Sequence, residues 1–150
     1  MNFGAEIPFV TLLGFTLERF ESGESVLGYT PAPAHLNSFA VTHGGACMTL
    51  LDVAMAVAAR SVQKDMGVVT IEMKTSFMRP APGDGSQLTA RGRLMHRSTS
   101  LAFTEATIYD AQGQACAHAT GTFKYVRRQL ATDGGSATGL NPPRSPISTD

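Results

Sequence analysis

Hydrophobic and polar residues alternate along much of the chain with the two-residue period of β-strands. Over residues 68–78, the apolar Ile71, Met73 and Phe77 fall on one predicted face. The opposite face carries polar residues, namely Thr70, Glu72, Lys74 and Ser76. Further strands are predicted over residues 17–29, 88–95, 101–109 and 115–126, and a turn at 21–24 divides the first range into two strands.

Residues 46–59 break this alternation and predict a helix. Their sequence, ACMTLLDVAMAVAA, is rich in Ala, Leu and Met, which favour helices, and it is apolar nearly all round. Such a helix is buried on most sides, and at ~1.5 Å per residue it is too short to cross a bilayer. Two strands, a helix and four strands predict an α+β fold in which an antiparallel sheet wraps around a central buried helix.

The C-terminal segment differs from the rest in composition. Residues 127–150, RRQLATDGGSATGLNPPRSPISTD, are mostly small, polar or proline, with only scattered apolar positions. A segment of this kind buries too little surface to offset the entropy lost on ordering. We therefore expect one folded domain at residues 1–126, followed by a flexible tail.

Charge and cysteine content narrow the function classes. The 150 residues carry 12 Lys and Arg against 12 Asp and Glu, so the net charge of zero argues against a general nucleic-acid binder. Only 16% of residues are charged, which favours self-association. Cys47 and Cys116 lie in apolar runs and are expected to be free thiols. With no signal peptide or membrane span evident, we expect a cytoplasmic protein that does not enter membranes.

Asp52 is the anomaly of the predicted helix, because a carboxylate among apolar residues is costly without a partner. It is either a structural residue that bonds a backbone group or pairs with a cation, or a general base or nucleophile whose pKa is raised by desolvation. The helix position alone leaves both interpretations open.

The residues His43-Gly44-Gly45 come directly before this helix, with Thr42 as the expected N-cap. Two glycines allow a ligand to approach the backbone closely, and the free N–H groups of a first helical turn suit a developing oxyanion. The alternative is a loop-to-helix junction that needs unusual backbone dihedrals.

The spacing of these two features has a geometric consequence. Gly45 and Asp52 lie two turns apart on the predicted helix, so ~10.5 Å separates them along its axis. If both act on one substrate atom, the aspartate comes from a second, antiparallel helix related by a two-fold axis. A C2 dimer supplies two such sites.

Four segments carry a wider pattern around Asn37, His43-Gly44-Gly45 and Asp52. They are HLNSFAVTHGGACMTLLDVAMAVAA, VVTIEMKTSFMRPA, SLAFTEATIYD and GQACAHATGTFKYV. In these segments, over about residues 10–126, the chain resembles the hot-dog-fold acyl-CoA thioesterases of the phenylacetic-acid-degradation (PaaI-like) type. The resemblance implies a hot-dog fold and hydrolysis of acyl-CoA thioesters.

The resemblance also implies roles for individual residues. Asn37 and the backbone N–H of Gly44 would polarise the thioester carbonyl, and Asp52 would activate the attacking water or attack directly. Thr70 would position Asp52 or the water, and the two pairs would face each other across a homodimer interface. Ala40 stands where many relatives have glycine, which bears on the conformation of the loop that carries Asn37.

Other residues are candidates for substrate contacts. His43 and Gly45 lie beside the expected oxyanion site, and Phe39 and Phe77, with Met48 and Met55, are candidates for an acyl pocket or for ordinary core. Arg97 and Ser98 are candidates for the phosphates of coenzyme A, although such residues are often a solvated strand face. His35, His43 and Asp52 show no ligand spacing, so no metal is expected.

We therefore expect an enzyme that hydrolyses aromatic (phenylacetyl-like) or medium-chain acyl-CoA to free acid and CoA, with no metal or redox cofactor. It would act as a homodimer, or as a dimer of dimers. One alternative is an acyl-CoA sensor, which would bind the thioester and leave it intact. A poorer match is a hot-dog dehydratase or hydratase, since those enzymes pair a catalytic histidine with an acid.

Overall fold

A long helix lies across one face of a six-stranded antiparallel sheet in the computed structural model, which describes residues 2–128. The strands are β1 (Thr16–Glu21), β2 (Glu24–Tyr29), β3 (Met66–Phe77), β4 (Leu88–Arg97), β5 (Leu101–Tyr109) and β6 (Ala115–Arg127). The helices are α1 (Pro8–Leu13) and α2 (Gly44–Arg60), with a 3₁₀ turn at Pro33–His35. The predicted α+β fold with a central helix is confirmed. The predicted tail, apart from its first two residues, lies outside the described residues.

The strand order places β3 at one edge of the sheet. The order is β1-β2-β4-β5-β6-β3, and every neighbouring pair is antiparallel. On its inner side β3 pairs with β6, with Met66 opposite Arg127 and Phe77 opposite Ala117. In the described part of the chain, the other side of β3 has no strand partner. Such an edge offers free backbone groups to a further strand.

Helix α2 sits close to the sheet because small residues line the strands beneath it. A Cβ on Gly92 would overlap the carbonyl oxygen of Ala54, so only glycine allows this approach. Two sheet hydroxyls also bond carbonyls of the helix: Ser25 donates to Ala54 at 2.6 Å, and Tyr125 donates to Ala59, in the last turn, at 2.7 Å. The helix is thereby held firmly against one face of the sheet.

The strand ranges and the first turn are confirmed within one or two residues. The turn between β1 and β2 has Ser22 at φ 54° and Gly23 at φ 79°, the positive values that a tight hairpin of this kind needs. Helix α2 begins at Gly44, two residues before the predicted start. No helix in the described part of the chain is long and apolar enough to cross a membrane.

One face assignment in β3 is wrong. The alternation placed Thr70 on the polar face with Glu72 and Lys74, but Thr70 reaches the helix and bonds Asp52. The physical reason is a register shift between Thr70 and Glu72, where β3 holds one residue more than β6. Such a bulge reverses the alternation of side chains between the two faces of the strand. Thr70 before it and Met73 after it therefore both face the helix.

Ala40 adopts a backbone conformation that glycine adopts more easily. Its φ is 56°, in the left-handed region, and its N–H donates to the carbonyl of Asn37 at 3.0 Å. We expect Ala40→Gly to raise the free energy of unfolding by about 0.5–1 kcal/mol, because the left-handed strain is larger than the entropy cost of glycine.

Thermal and urea unfolding of the purified variant measure this change. Ala111→Gly is the matched control, since Ala111 is an exposed turn alanine without a positive φ and is expected to become less stable on substitution. Equal destabilisation of both variants would contradict the assignment of strain to Ala40.

Candidate active site

His43, rather than the predicted Thr42, is the N-cap of α2. Its Nδ1 accepts a hydrogen bond from the N–H of Gly45 at 2.9 Å, and its carbonyl accepts from Ala46 and Cys47. Thr42 is occupied elsewhere, because its hydroxyl donates to the carbonyl of Pro82 at 2.8 Å. Among the described residues, the N–H of Gly44 has no hydrogen-bond partner. The cap therefore leaves one N–H of the first turn free for a ligand.

The two glycines do not serve an unusual backbone conformation. Neither Gly44 nor Gly45 has a positive φ, so the interpretation as a junction with unusual dihedrals is wrong. A Cβ on Gly44 would lie 3.5 Å from the Cζ of Phe77, in ordinary contact. Glycine here leaves open the approach to the free N–H, beside the ring of Phe77.

The loop before α2 holds the side chain of Asn37 in one orientation. Its Oδ1 accepts from the N–H of Phe39 at 2.9 Å and from the N–H of Val41 at 3.3 Å. Because the oxygen is committed to the backbone, the amide nitrogen points away from these donors. No partner for that nitrogen exists within residues 2–128. Asn37 is thus a second hydrogen-bond donor available to a ligand.

Asn37 and Gly44 line the same cavity, of about 610 Å³, which we call the amide half-site. Its other lining residues are mostly apolar and include the predicted Phe39 and Phe77. Cys47 and Cys116 also line it, which sequence reasoning missed although both stand in runs of small apolar residues. Burial raises the pKa of the Cys47 thiol to about 11, so it is a neutral wall residue.

Two of the proposed acyl-pocket residues lie elsewhere. Met55 is fully buried in the core between α2 and the sheet, so of its two interpretations the structure supports ordinary core. Met48 lines a different cavity, of about 360 Å³, together with Asp52 and Val53.

Asp52 lies half-buried on α2 and is held by one hydroxyl. The Oγ1 of Thr70 on β3 donates to Oδ1 of Asp52 at 2.7 Å. Burial raises the pKa of Asp52, and the bond from Thr70 opposes this rise. No ion pair among the described residues includes Asp52. Within residues 2–128, Asp52 thus has a hydroxyl partner and no cation, unlike a carboxylate neutralised by an arginine or lysine.

We call Asp52 and Thr70 the carboxylate half-site, and in one chain it is separate from the amide half-site. Asp52 lines cavities of about 360 and 260 Å³, neither of which includes Asn37 or Gly44. Along the helix, Gly44 and Asp52 are ~12 Å apart. The donors and the carboxylate therefore cannot meet on one substrate atom within a single chain.

Arg97 and Ser98 lie far from the amide half-site of their own chain. Arg97 is the last residue of β4, and its guanidinium lies 5.1 Å from the ring centroid of Tyr125. Ser98 follows in the turn, where its hydroxyl accepts from the N–H of Leu101. On β6, Tyr125 is ~26 Å from Ala117, which lines the amide half-site. Within one chain, the structure does not bring these predicted phosphate contacts to the cavity.

No group of three or more His, Cys, Asp or Glu side chains between residues 2 and 128 is placed to hold a metal ion. His43 is a helix cap, and Nδ1 of His35 accepts from the N–H of Ala32 and lies in hydrogen-bond contact with the hydroxyl of Tyr29 at 2.7 Å. Both histidines therefore have roles in ordering the loop that carries Asn37.

Removing the hydroxyl of Thr70 is expected to shift the pH dependence of any reaction that needs ionised Asp52. The bond from Thr70 lowers the pKa of Asp52, so Thr70→Ala raises that pKa further and moves the acid limb of kcat/KM to higher pH. Thr70→Ser keeps a hydroxyl and is expected to retain the wild-type limb. A pH–rate profile of all three proteins measures the shift, and an unmoved limb in Thr70→Ala would contradict the role given to Thr70.

Comparisons with known proteins agree with this architecture. The model of the thioesterase superfamily matches residues 39–117. The medium/long-chain acyl-CoA thioesterase YigI of Escherichia coli K12 is 26% identical over 135 residues, which cover 78% of this chain and 84% of YigI. A conserved protein from Pseudomonas aeruginosa has a similar structure, with a TM-score of 0.76, 26% identity and coverage of 82% of this chain and 97% of that one.

The PaaI protein from the phenylacetic acid degradation operon of E. coli shares the fold. Its TM-score is 0.73 at 24% identity, with 79% of this chain and 83% of that chain covered. Since the family model spans more than half of the sequence, the chain belongs to the thioesterase superfamily and is a thioester hydrolase. The recognition made from Asn37, His43-Gly44-Gly45 and Asp52 is confirmed at the level of the family.

Proposed function

We propose that this protein hydrolyses acyl-CoA thioesters at a site built from the amide half-site of one chain and the carboxylate half-site of another. The observation that carries the proposal is the separation of the two half-sites in one chain. Among residues 2–128, one half-site offers two hydrogen-bond donors without partners, and the other offers a carboxylate without a counter-charge. Thioester hydrolysis needs both, on opposite sides of one carbonyl carbon.

The chemistry follows from these groups. The thioester oxygen accepts hydrogen bonds from the N–H of Gly44 and the side-chain nitrogen of Asn37, which stabilise the negative charge of the tetrahedral intermediate. Asp52 removes a proton from water as the water oxygen bonds to the carbonyl carbon. The carbon–sulfur bond then breaks, the thiolate of CoA leaves and takes up a proton, and the free acid remains. Thr70 holds Asp52 in place throughout.

Direct attack by Asp52 is the competing route, and isotope incorporation separates the two. Attack by the carboxylate would form an anhydride with Asp52, and water that opens this anhydride at the aspartyl carbon would leave ¹⁸O in the aspartate after a single turnover in ¹⁸O-water. With Asp52 as a general base, the label enters only the released acid. Mass spectrometry of the digested protein reads the difference.

The edge strand β3 is the proposed contact between the two chains. Its free edge lies beside exposed apolar side chains, with Val69 47%, Ile71 56% and Phe77 54% exposed. Two β3 edges paired antiparallel about a two-fold axis would bury these side chains and continue the sheet from one chain into the next. The two α2 helices then run antiparallel, which sets Asp52 of one chain toward Gly44 of the other.

The same arrangement gives Arg97 and Ser98 a role. The β4–β5 turn lies at the end of the sheet where β3 begins, whereas the amide half-site lies where β3 ends. Antiparallel pairing of two β3 strands therefore brings Arg97 and Ser98 of one chain toward the cavity of the other. There they would meet the phosphates of CoA, with Arg97 as the charged partner.

A thiol-release assay tests the proposal. The purified protein is offered phenylacetyl-, benzoyl-, hexanoyl-, octanoyl- and lauroyl-CoA, and release of CoA is followed with a thiol reagent. We expect turnover of aromatic or medium-chain acyl groups, unchanged by EDTA because the proposed mechanism gives no role to a metal. Binding of these thioesters without turnover would instead indicate a sensor, and neither binding nor turnover would reject the acyl-CoA assignment.

A further inference from the structure

Arg60, the last residue of α2, is buried with two nitrogen atoms that have no hydrogen-bond partner. The residue is 7% exposed. Its Nη1 donates to the carbonyl of Phe3 at 3.0 Å, whereas Nε and Nη2 find no acceptor among residues 2–128. Buried guanidinium nitrogens without acceptors are costly, and an acceptor that carries negative charge offsets that cost best.

A second arginine lies beside it. The Nη2 of Arg128 donates to the carbonyl of Gly4 at 2.9 Å. A Cβ on Gly4 would lie 3.2 Å from Nη2 of Arg60 and 3.7 Å from Nη2 of Arg128, so the two guanidinium groups flank the same residue. Burial and the nearby charge of Arg128 both lower the pKa of Arg60. Neither arginine forms an ion pair within the described part of the chain.

Both arginines line the cavity of about 260 Å³ that also holds the carboxylate half-site. Asp52 and Arg60 are ~12 Å apart along α2, so the cavity has an acidic end and a cationic end. The wall between them is apolar and consists of Ile7, Val53, Ala56, Val57 and Val68. A ligand that is complementary to this lining has a hydrocarbon chain along the apolar wall and an anionic group at the end remote from Asp52, beside the arginines.

The size of the cavity favours an acyl group over the nucleotide part of CoA. It lies just below the range of ~300–1,000 Å³ that drug-sized ligands occupy. A medium-length acyl chain needs less room than an adenosine diphosphate. The cavity also begins at Asp52, beside the thioester carbonyl in the proposed reaction. Because the proposed contacts of the CoA phosphates, Arg97 and Ser98, lie toward the amide half-site, this second cavity is left for the acyl chain.

We propose that Arg60 and Arg128 bind a carboxylate at the far end of the acyl group, and that the preferred substrates are CoA thioesters of medium-chain dicarboxylic acids. This inference rests on the proposed hydrolysis at Asp52. Arg128 is half-buried and therefore open to an incoming carboxylate, whereas Nε and Nη2 of Arg60 have almost no accessible surface, so Arg60 contributes through the positive charge of its guanidinium.

The test compares suberoyl-CoA with octanoyl-CoA, which have the same number of acyl carbons and differ at the terminal group. We expect the wild-type protein to have a kcat/KM about 10- to 100-fold higher for suberoyl-CoA. Arg60→Gln and Arg128→Gln are expected to lower kcat/KM more for suberoyl-CoA than for octanoyl-CoA, and so to remove this preference. Arg128 is only half-buried, so its variant serves if Arg60→Gln fails to fold.

Arg127→Gln is the matched control, because it removes the same charge from an exposed neighbouring position and is expected to keep the wild-type preference. Equal rates on the two substrates in the wild type would overturn the proposal. So would a preference that survives both variants. Equal losses on both substrates would assign the arginines to a group that the substrates share, such as the phosphates of CoA.

Binding of the free acids separates this inference from the proposed hydrolysis. Calorimetric titration with suberate and octanoate needs no turnover, and we expect suberate to bind wild type more tightly than Arg128→Gln. If no acyl-CoA is hydrolysed yet suberate binds in this way, the anion site stands and the catalytic assignment fails. If thioesters are hydrolysed but suberate binds no better than octanoate, the anion site fails alone.

Discussion

Asp52→Asn is expected to lower kcat/KM for a good acyl-CoA substrate by about 10²- to 10⁴-fold, the range that a positioned general base contributes. The amide keeps the shape of the side chain and still accepts a hydrogen bond from Thr70, so the loss reports the missing base. The rate constants are measured by thiol release at a pH well above the acid limb of the wild type.

The same substitution is expected to increase stability at neutral pH. Burial raises the pKa of Asp52 in the folded protein above its ordinary value, so folding disfavours the ionised form. The contribution of Asp52 to stability is therefore largest at low pH, where it is protonated, and is lost as pH rises through the folded-state pKa. Asp52→Asn removes that loss, and thermal unfolding at pH 5 and pH 7.5 should show the larger gain at pH 7.5.

Asp65→Asn is the matched control for both measurements, since it removes one carboxylate from an exposed position. It is expected to leave activity and stability close to those of the wild type. A structural aspartate would give the opposite pattern at position 52, with stability lost and activity largely retained in Asp52→Asn. That pattern would exclude Asp52 as the base.

Helices and strands were predictable from the sequence where their hydrophobic pattern was long and regular. The strands with clear alternation and the apolar helix were predicted within one or two residues at most ends, because both are long enough for their periods to be read. Helix α1 was missed since it has only six residues and its sequence, PFVTLL, has no helical period. The bulge after Thr70 was also missed, because an added residue in one strand is visible only against the register of its neighbour.

The site was predictable in part. The motif alone identified four site residues: Asn37, Gly44, Asp52 and Thr70. The structure added their hydrogen-bond partners, and showed which of their donors have none among residues 2–128. The N-cap was misassigned because His43, an uncommon cap, takes the place that threonine usually fills. Arg60 and Arg128 were not singled out, since they lie far apart in sequence and only folding brings both against Gly4.

Mixing two inactive variants is expected to restore activity, because each proposed site takes its half-sites from different chains. One variant, Asn37→Ala, keeps the carboxylate half-site, and the other, Asp52→Asn, keeps the amide half-site. In a heterodimer of the two, one site carries both substitutions and the other carries neither. Co-expression with two different affinity tags isolates this heterodimer, which is expected to have about half of the wild-type kcat per dimer.

The parent homodimers are expected to be about 10²-fold or more below wild type, so the recovered activity is large against the background. The control heterodimer joins Asp52→Asn with a chain that carries both substitutions, so neither of its sites contains Asp52 and no recovery is expected. If each active site were instead completed within one chain, the test heterodimer would be as inactive as its parent homodimers. Recovery in the test pair and none in the control pair therefore follow only if Asp52 acts on a thioester held by Gly44 and Asn37 of the other chain.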